Sequence, residues 1–277
     1  MKFGVHAGLW MEQWTDPLEP ILDIVADLGF DGVEVSLLGM DMDRAKGLGA
    51  AVKARGLEVT CSDGLPMAAD VSSADPDIRA AGLDHLRRSV RFADAIGARG
   101  LAGVVFAPWG AFDIADKQGR TERSADTLSM LAPDLDEFGI DLGIEALNRF
   151  ETDLVNTAAE GVALAEATGS DRIGVLLDTF HLNMEEKDIR GAIANSAGKL
   201  VHFHVSDNDR GVPGSGHVPW AEAREGLRDA GYDSWIVAEM FIKTGTPAGG
   251  DLYIWRDIEP DATEAARQAL AFLKGWL

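Results

Sequence analysis

Four strand-like segments in the C-terminal half of the chain each end in a side chain that can bind a metal ion. The candidate ligands are Glu145, Asp178, His204 and Glu239, and they are separated by 33, 26 and 35 residues. Each interval is about the length of one strand–helix unit. Four consecutive parallel strands could therefore direct two glutamates, one aspartate and one histidine to a common point.

The chemistry of this set favours a hard divalent cation. Three carboxylates and one imidazole suit Mn²⁺, Mg²⁺ or Co²⁺ better than a structural Zn²⁺, which prefers Cys and His. An octahedral ion with four protein ligands keeps two positions open, where the carbonyl and adjacent hydroxyl oxygens of a hydroxy-ketone could bind. The ion would then act as a Lewis acid and stabilise an enediolate.

Each candidate ligand has a plainer structural alternative. Asp178 could simply cap the helix that follows it. Glu145 and Glu239 interrupt strongly apolar strands, where a lone carboxylate is costly unless it is paired or ligated. His202 and His204 alternate along one strand, and we expect only one of them to point inward. An isolated histidine is usually a core residue, but the three acids favour a ligand here.

Polar and aromatic residues near these positions could contact a substrate. Glu151, His181 and Arg210 lie in the segments that follow the first three ligands, although surface salt bridging is the alternative for Arg210. Aromatic side chains could form an apolar wall for a sugar, although most aromatic residues belong to cores. The candidates are Trp10, Trp14, Trp109, Phe112 and Phe241.

A repeated glycine pattern indicates the elements that must position these residues. Gly is favoured just past a helix end because it adopts a left-handed backbone without a side-chain clash. Helix-like segments end at Gly29, Gly56, Gly97, Gly139, Gly169, Gly198 and Gly231. Short apolar runs follow these glycines and, with the N-terminal run, predict eight strands at residues 2–6, 33–36, 57–61, 101–106, 142–147, 173–177, 200–205 and 235–240.

Helix starts agree with this alternation. Asp16-Pro17 and Asp75-Pro76 each place a capping acid before a proline at the first helical position, and Thr157 to Glu160 has the pattern of a capping box. The pattern predicts an α/β protein, a single (β/α)8 TIM barrel over residues 1–277, with the active site at the C-terminal ends of the strands. An open doubly wound sheet is the alternative, but no Gly-x-Gly-x-x-Gly loop follows the first strand.

Bulk properties exclude several classes of partner. A formal net charge of −21 argues against nucleic acid and against an anionic membrane surface. The single cysteine, Cys61, rules out an internal disulfide, fits a cytoplasmic location and is expected to be a small buried residue. The N-terminus lacks the apolar region of a signal peptide. The longest stretch without charged residues, Gly100 to Phe112, is too short to cross a bilayer.

Five segments carry a resemblance to a known family. They are Gly143–Glu151, Leu177–Glu186, His202–His204, Val212–Gly216 and Trp255–Asp257. Together they resemble the ketose 3-epimerase family, which includes D-tagatose, D-psicose (allulose) and L-ribulose 3-epimerases within the xylose-isomerase-like superfamily. The resemblance spans nearly the whole chain, and it implies a (β/α)8 barrel.

The resemblance also implies roles for the four candidate ligands. Glu145, Asp178, His204 and Glu239 match the family's ligands for one divalent ion, with Mn²⁺ expected first and Co²⁺ or Mg²⁺ as alternatives. Glu145 and Glu239 also match its two acid/base residues. Epimerisation must remove a proton from one face of carbon 3 and return one to the other face, which two carboxylates on opposite sides of a sugar can do.

The remaining matches concern the substrate and the assembly. Glu151, His181 and Arg210 match residues that hold the O1 to O3 end of the sugar, and His181 could donate to the carbonyl oxygen as negative charge develops there. Relatives form dimers or tetramers, so we expect a homo-oligomer.

The chain departs from the family where the far end of the sugar would lie. His6 stands where relatives often have an aromatic residue, and we expect it to contact the sugar together with Trp14 and Trp109. Met240 stands where proline is common. Residues 61–67 and 102–109 match poorly, and these segments would line the far end of the sugar.

The sequence therefore predicts a divalent-metal-dependent ketose 3-epimerase. Expected substrate pairs are D-psicose/D-fructose, D-tagatose/D-sorbose and ribulose/xylulose, converted through a cis-enediolate. An aldose–ketose isomerase on the same metal-binding barrel is the main alternative. An abasic-site endonuclease would require more histidines and a basic groove. A non-catalytic sugar-binding protein would not need paired glutamates on a metal ion.

Overall fold

Eight parallel strands close into a barrel in the computed structural model, which describes residues 1–39 and 42–277 apart from the side chain of Lys46. Each strand pairs with the next along the chain, and the last strand pairs with the first. The strands are β1 (Lys2–His6), β2 (Gly32–Ser36), β3 (Glu58–Leu65), β4 (Gly100–Pro108), β5 (Asp141–Glu145), β6 (Ile173–Asp178), β7 (Leu200–Val205) and β8 (Trp235–Ala238). The predicted (β/α)8 barrel is confirmed.

Helices connect the strands and cover the outside of the barrel. In the described part of the chain they are α1 (Glu19–Leu28), α2 (Met42–Ala54), α3 (Pro76–Ile96), α4 (Lys117–Ser129), α5 (Ala132–Phe138), α6 (Ala158–Ala167), α7 (Thr179–Glu185), α8 (Ile189–Asn195), α9 (Trp220–Asp229), α10 (Pro247–Asp251) and α11 (Ala262–Trp276). The described residues also form two short 3-10 helices, Ala7–Leu9 directly after β1 and Ile114–Asp116 directly before α4. Among these described helices, none combines the length and apolar character that a bilayer crossing needs.

Local chemistry explains most of the element boundaries. All seven glycines predicted to end helices adopt positive φ angles, from 63° at Gly139 to 90° at Gly97. Asp75 caps α3 by accepting a hydrogen bond from the backbone N–H of Asp77, and Thr157 forms the predicted capping box with Glu160. Cys61 is fully buried, as expected.

The helix start predicted at Asp16-Pro17 was wrong. Helix α1 begins at Glu19 and carries Pro20 in its first turn. The Asp16 carboxylate instead accepts hydrogen bonds from the backbone N–H groups of Glu12 and Gln13. A capping acid and a turn acid both bind nearby N–H groups, so the two cannot be distinguished by residue type alone.

The pairing of strands β3 and β4 is irregular at their C-terminal ends. Gly64 pairs with Val104, but the next residue of β3, Leu65, pairs with Pro108, so three residues of β4 lie outside the regular register. Just before this irregularity, Gly103 has a φ of 122°, and a Cβ there would lie 2.4 Å from the carbonyl oxygen of Asp63. Only glycine fits this close approach of two backbones.

Replacing Gly103 by alanine should therefore destabilise the barrel. We expect Gly103→Ala to lower the free energy of unfolding by about 2 kcal/mol or more, because it adds both backbone strain and a clash with Asp63. Urea unfolding followed by circular dichroism would measure the change. Gly47→Ala is the matched control, because Gly47 lies inside α2 with no atom near its would-be Cβ. That control should stabilise by ~0.5 kcal/mol or more. Equal stabilities of the two variants would contradict the argument.

Candidate metal centre and active site

The four candidate ligands meet at the C-terminal end of the barrel. Glu145 and Asp178 are the last residues of β5 and β6, His204 lies near the end of β7, and Glu239 directly follows β8. One potential ligand atom of each lies within 4.8 Å of those of the other three. All four side chains are buried. The structure thus brings together the four residues that their spacing selected.

This group of atoms fits a divalent cation. His204 Nδ1 is buried, lies 3.3 Å from Glu239 Oε1 and has no hydrogen-bond partner among the described residues. Burial and the charge of Glu239 raise the pKa of Glu145 well above its usual range. Burial also raises the pKa of Asp178, to about 6. Carboxylates crowded in this way need positive charge, and oxygen ligands with one imidazole suit Mn²⁺, Mg²⁺ or Co²⁺.

The two glutamates have opposite electrostatic environments. Although burial alone would raise it, the charges of His204 and Arg210 hold the pKa of Glu239 below its usual range, whereas that of Glu145 is raised. Two carboxylates whose pKa values are pushed apart can act as a proton donor and a proton acceptor. Despite burial, which lowers it, Glu34 and Glu239 raise the pKa of His204. A divalent ion would replace that proton, since a ligating imidazole must be neutral.

Glu34 contacts the candidate ligand His204, and the sequence analysis did not identify it. Its Oε2 accepts a hydrogen bond from Thr60 Oγ1 at 2.7 Å and lies 2.7 Å from His202 Nε2. Its Oε1 lies 2.7 Å from His204 Nε2, at an angle outside hydrogen-bond geometry. A carboxylate on the far ring nitrogen fixes the orientation of a ligating histidine. The signal was present, because Glu34 interrupts an apolar strand between Val33 and Val35.

The expectation that only one of His202 and His204 points inward was wrong. Both rings face Glu34, and their centroids are 5.0 Å apart. Successive residues of a strand alternate between its two faces, so residues two apart share a face. His202 therefore lies beside His204 in the barrel interior, where it helps to hold Glu34.

Arg210 brings positive charge to the carboxylates. Its Nη1 donates to Glu239 Oε2 at 2.7 Å and lies 3.3 Å from Asp178 Oδ2. The guanidinium lies over the ring of Phe180, 4.2 Å from its centroid, which favours a cation–π contact. Arg210 is buried, so the surface salt bridge considered for it does not apply.

His181 lies between hydrogen-bond donors on both sides of its ring. The backbone N–H of Asn148 donates to Nδ1 at 3.1 Å, and Arg210 Nη2 lies 3.3 Å from Nε2. This nitrogen lies 3.6 Å from Glu145 Oε1. Burial and the charge of Arg210 lower the pKa of His181 to about 3. The Asn148 side chain donates to Glu151 Oε1 at 2.8 Å, so this one residue positions two of the predicted substrate contacts.

One cavity of about 760 Å³ joins the predicted substrate contacts. Trp109 Nε1 donates to Glu151 Oε2 at 2.9 Å. His6 accepts from the backbone N–H of Gly8 through Nδ1, and its Nε2 lies 2.8 Å from Ser62 Oγ. The cavity is bordered by Glu145, Glu239, Glu151, His181, Arg210, His6, Trp14, Trp109 and Phe241.

Two of the aromatic candidates lie elsewhere. Trp10 donates through Nε1 to Thr263 Oγ1 at 3.2 Å and packs toward α11, away from the cavity. Phe112 is exposed in the loop after β4. The positions of Trp10 and Phe112 depend on loop conformation, and residue type alone does not predict that conformation.

Comparisons with known proteins agree with this geometry. Residues 22–276 match the family described as xylose isomerase-like TIM barrel. The chain is 35% identical to D-psicose 3-epimerase of Agrobacterium fabrum, over 98% of both chains. The chain belongs to the ketose 3-epimerases. It is also 35% identical to L-ribulose 3-epimerase of Mesorhizobium japonicum, covering 98% of this chain and 93% of that protein.

A solved structure supports the same assignment of this ketose 3-epimerase. The crystal structure of D-psicose 3-epimerase with D-tagatose from Clostridium cellulolyticum H10 is 33% identical, with a TM-score of 0.94. The match covers 100% of this chain and 99% of that one. The family resemblance predicted from five short segments is therefore confirmed.

Glu34 should matter for metal affinity without being a ligand. We expect Glu34→Gln to weaken Mn²⁺ binding by about 10- to 100-fold, because an amide cannot hold the two imidazoles as a carboxylate does. Titration of the EDTA-stripped protein with Mn²⁺, followed by electron paramagnetic resonance, would measure it. Glu58→Gln is the control, because Glu58 is exposed and pairs with Lys2 at the other end of the barrel. Unchanged affinity in Glu34→Gln would count against the supporting role.

Proposed function

We propose that this protein is a divalent-metal-dependent ketose 3-epimerase that inverts carbon 3 of free ketoses. Substrate pairs would be D-psicose/D-fructose, D-tagatose/D-sorbose and ribulose/xylulose. The observation that carries the proposal is the pairing of Glu145 and Glu239 in one buried group with Asp178 and His204. Relatives named as D-psicose and L-ribulose 3-epimerases, at 35% identity, support the reaction type.

Glu145 and Glu239 carry out the proton transfer. One carboxylate removes the proton from one face of carbon 3, and the other carboxyl group returns a proton to the opposite face. The reverse reaction exchanges their roles. The opposite pKa directions of Glu145 and Glu239 support this division, since the two carboxyl groups differ in their affinity for a proton. Removal of the proton turns the ketose into a cis-enediolate.

The surrounding residues hold the substrate and its developing charge. Neutral His181 would donate through Nε2 to the ketose carbonyl oxygen, which becomes negative as the proton leaves. Arg210 and Glu151 would hold the O1 to O3 end, one as a donor and the other as an acceptor. His6, Trp14 and Trp109 would line the rest of the sugar. These roles are supported by the common cavity that the residues share.

Glu145, Asp178, His204 and Glu239 would hold one divalent ion. The ion would supply Lewis-acid stabilisation of the negative charge that develops on the substrate oxygens. We propose Mn²⁺, with Co²⁺ or Mg²⁺ as alternatives, since an oxygen-rich set with one imidazole suits these ions.

The setting of the enzyme is proposed on separate grounds. We place residues 1–277 in one catalytic barrel domain, in a cytoplasmic homo-oligomer, either a dimer or a tetramer. The small ketose would be its partner, without nucleic acid or membrane, which fits the net charge of −21.

Deuterium incorporation tests the reaction directly. EDTA-stripped protein reloaded with Mn²⁺ would be incubated in D₂O with D-fructose, D-tagatose, L-ribulose and D-ribulose, and the products read by NMR. We expect metal-dependent inversion with deuterium at carbon 3. Deuterium or rearrangement at carbons 1 and 2 would instead indicate an aldose–ketose isomerase. No exchange with any ketose would refute the proposal.

Substitution of Glu145 and of Glu239 should impair proton exchange with different epimers. We expect Glu145→Gln and Glu239→Gln each to lower epimerisation by about 10²- to 10⁴-fold, because each removes one of the two proton-transfer groups. Each variant should at most exchange the carbon 3 proton of one epimer, and the epimer should differ between them. Deuterium exchange of both epimers would measure this, with Glu58→Gln as the control. Near-normal epimerisation by either variant would contradict the two-base mechanism.

A further inference from the structure

The cavity is larger than a free ketose requires. Its volume of about 760 Å³ lies in the upper part of the ~300–1,000 Å³ range of pockets that enclose drug-sized ligands. It runs from Glu145 and Glu239 past Ser62 to the inner face of α3. We call the part between β3, β4 and α3, bordered by Asp63, His85, Arg88, Ser89 and Phe92, the side branch.

The side branch lies at the register shift between β3 and β4. Gly64 stands at the register shift, and a Cβ there would meet only Leu38, 3.8 Å away. Gly103 and Val104 of β4 also border the cavity. Gly64 leaves the space beside the register shift free of a side chain, and the cavity extends there from the barrel mouth toward α3.

One face of α3 lines the side branch. Its residues 85, 88, 89 and 92 border the cavity and follow helical spacing, so they lie along one stripe of the helix. The Asp63 carboxylate accepts from Ser89 Oγ and from the backbone N–H of Gly64, and it lies 3.0 Å from His85 Nε2. With three partners on its two oxygens, this carboxylate has little capacity left for a ligand.

Arg88 borders the side branch, is exposed to solvent and has no charged partner among the described residues. Within residues 1–39 and 42–277, its guanidinium makes no hydrogen bond or ion pair, whereas Arg87 one residue earlier pairs with Asp84 and Asp134. The chain has 46 acidic and 25 basic residues, so carboxylate partners are abundant. An arginine left unpaired beside a cavity, with a histidine one helical turn away, is suited to an anionic group of a ligand.

We propose that the side branch binds an anionic group, a phosphate ester or a carboxylate, at the end of a ketose remote from carbon 3. The proposal rests on the proposed function, because it places the reacting end of the ketose at the paired glutamates. Arg88 would contact the anion, and His85, held by Asp63, would donate or accept beside it. Substrates would then include ketoses with a charged terminal carbon.

Binding measurements test this inference apart from turnover. The Mn²⁺-loaded protein would be titrated calorimetrically with a free ketohexose, with its 6-phosphate, and with the corresponding ketose acid that carries a carboxylate at carbon 6. We expect at least one anionic form to bind about fivefold or more tightly than the free sugar, the upper range for a solvent-accessible charge pair. Preference for only one anion supports the proposal and identifies the group.

Charge variants test whether Arg88 causes the preference for an anionic ketose. Arg88→Gln should remove most of the preference for the anionic ketose, and Arg88→Glu should reverse it. Arg91→Gln is the matched control, because Arg91 lies on the same helix and borders a neighbouring surface cavity that Arg88 also borders, but not the side branch. That control should keep the wild-type preference.

The outcomes separate this inference from the proposed function. Equal affinity for free and anionic ketoses, or an unchanged preference in Arg88→Gln, would overturn the inference even if carbon 3 exchanges deuterium. An Arg88-dependent preference without exchange at carbon 3 would uphold the anion site and refute the epimerase proposal.

Discussion

Burial of negative charge at the C-terminal end of the barrel is the constraint on which the rest of the site depends. Glu145, Asp178 and Glu239 crowd within a few ångströms, and Glu34 lies one layer deeper. Removing carboxylates from water is costly unless positive charge compensates. The chain supplies part of that charge through Arg210, and the donor set is suited to a divalent cation that would supply the rest. Residues that do not touch a metal ion are therefore shaped by the same requirement.

Arg210 shows how the loops meet this requirement. Its φ of 69° is uncommon for a residue other than glycine, so the surrounding structure must hold it. Its N–H donates to the carbonyl oxygen of Asp207, and its own carbonyl accepts from Phe241 N–H. The Asp207 carboxylate in turn accepts from Gly214 N–H and Trp220 Nε1. The strained backbone is thus fixed from several sides, and the guanidinium is aimed at two carboxylates.

Much of this arrangement could be predicted from sequence, and the exceptions have physical reasons. The helix-ending glycines fixed the strand–helix alternation, and strand ends placed Glu145, Asp178 and Glu239 together. Glu34 was overlooked because its β2 was treated as an ordinary apolar strand, although the argument used for Glu145 applies equally. The side branch could not be predicted, because it depends on the pairing register of β3 with β4. That register follows from tertiary packing.

The candidate metal ligands and much of the remaining cavity wall belong to different halves of the barrel. The four candidate ligands lie on or directly after strands β5 to β8, whereas Ser62 and Gly103, which also border the cavity, belong to β3 and β4. His6 on β1 lies close to Glu239. Glu34 on β2 connects the halves, since it holds His204. Substitutions in β3 and β4 can therefore reshape the far end of the cavity without moving a ligand. The paired glutamates and their buried partners Asp178 and His204 thus constrain β5 to β8 more tightly than β3 and β4.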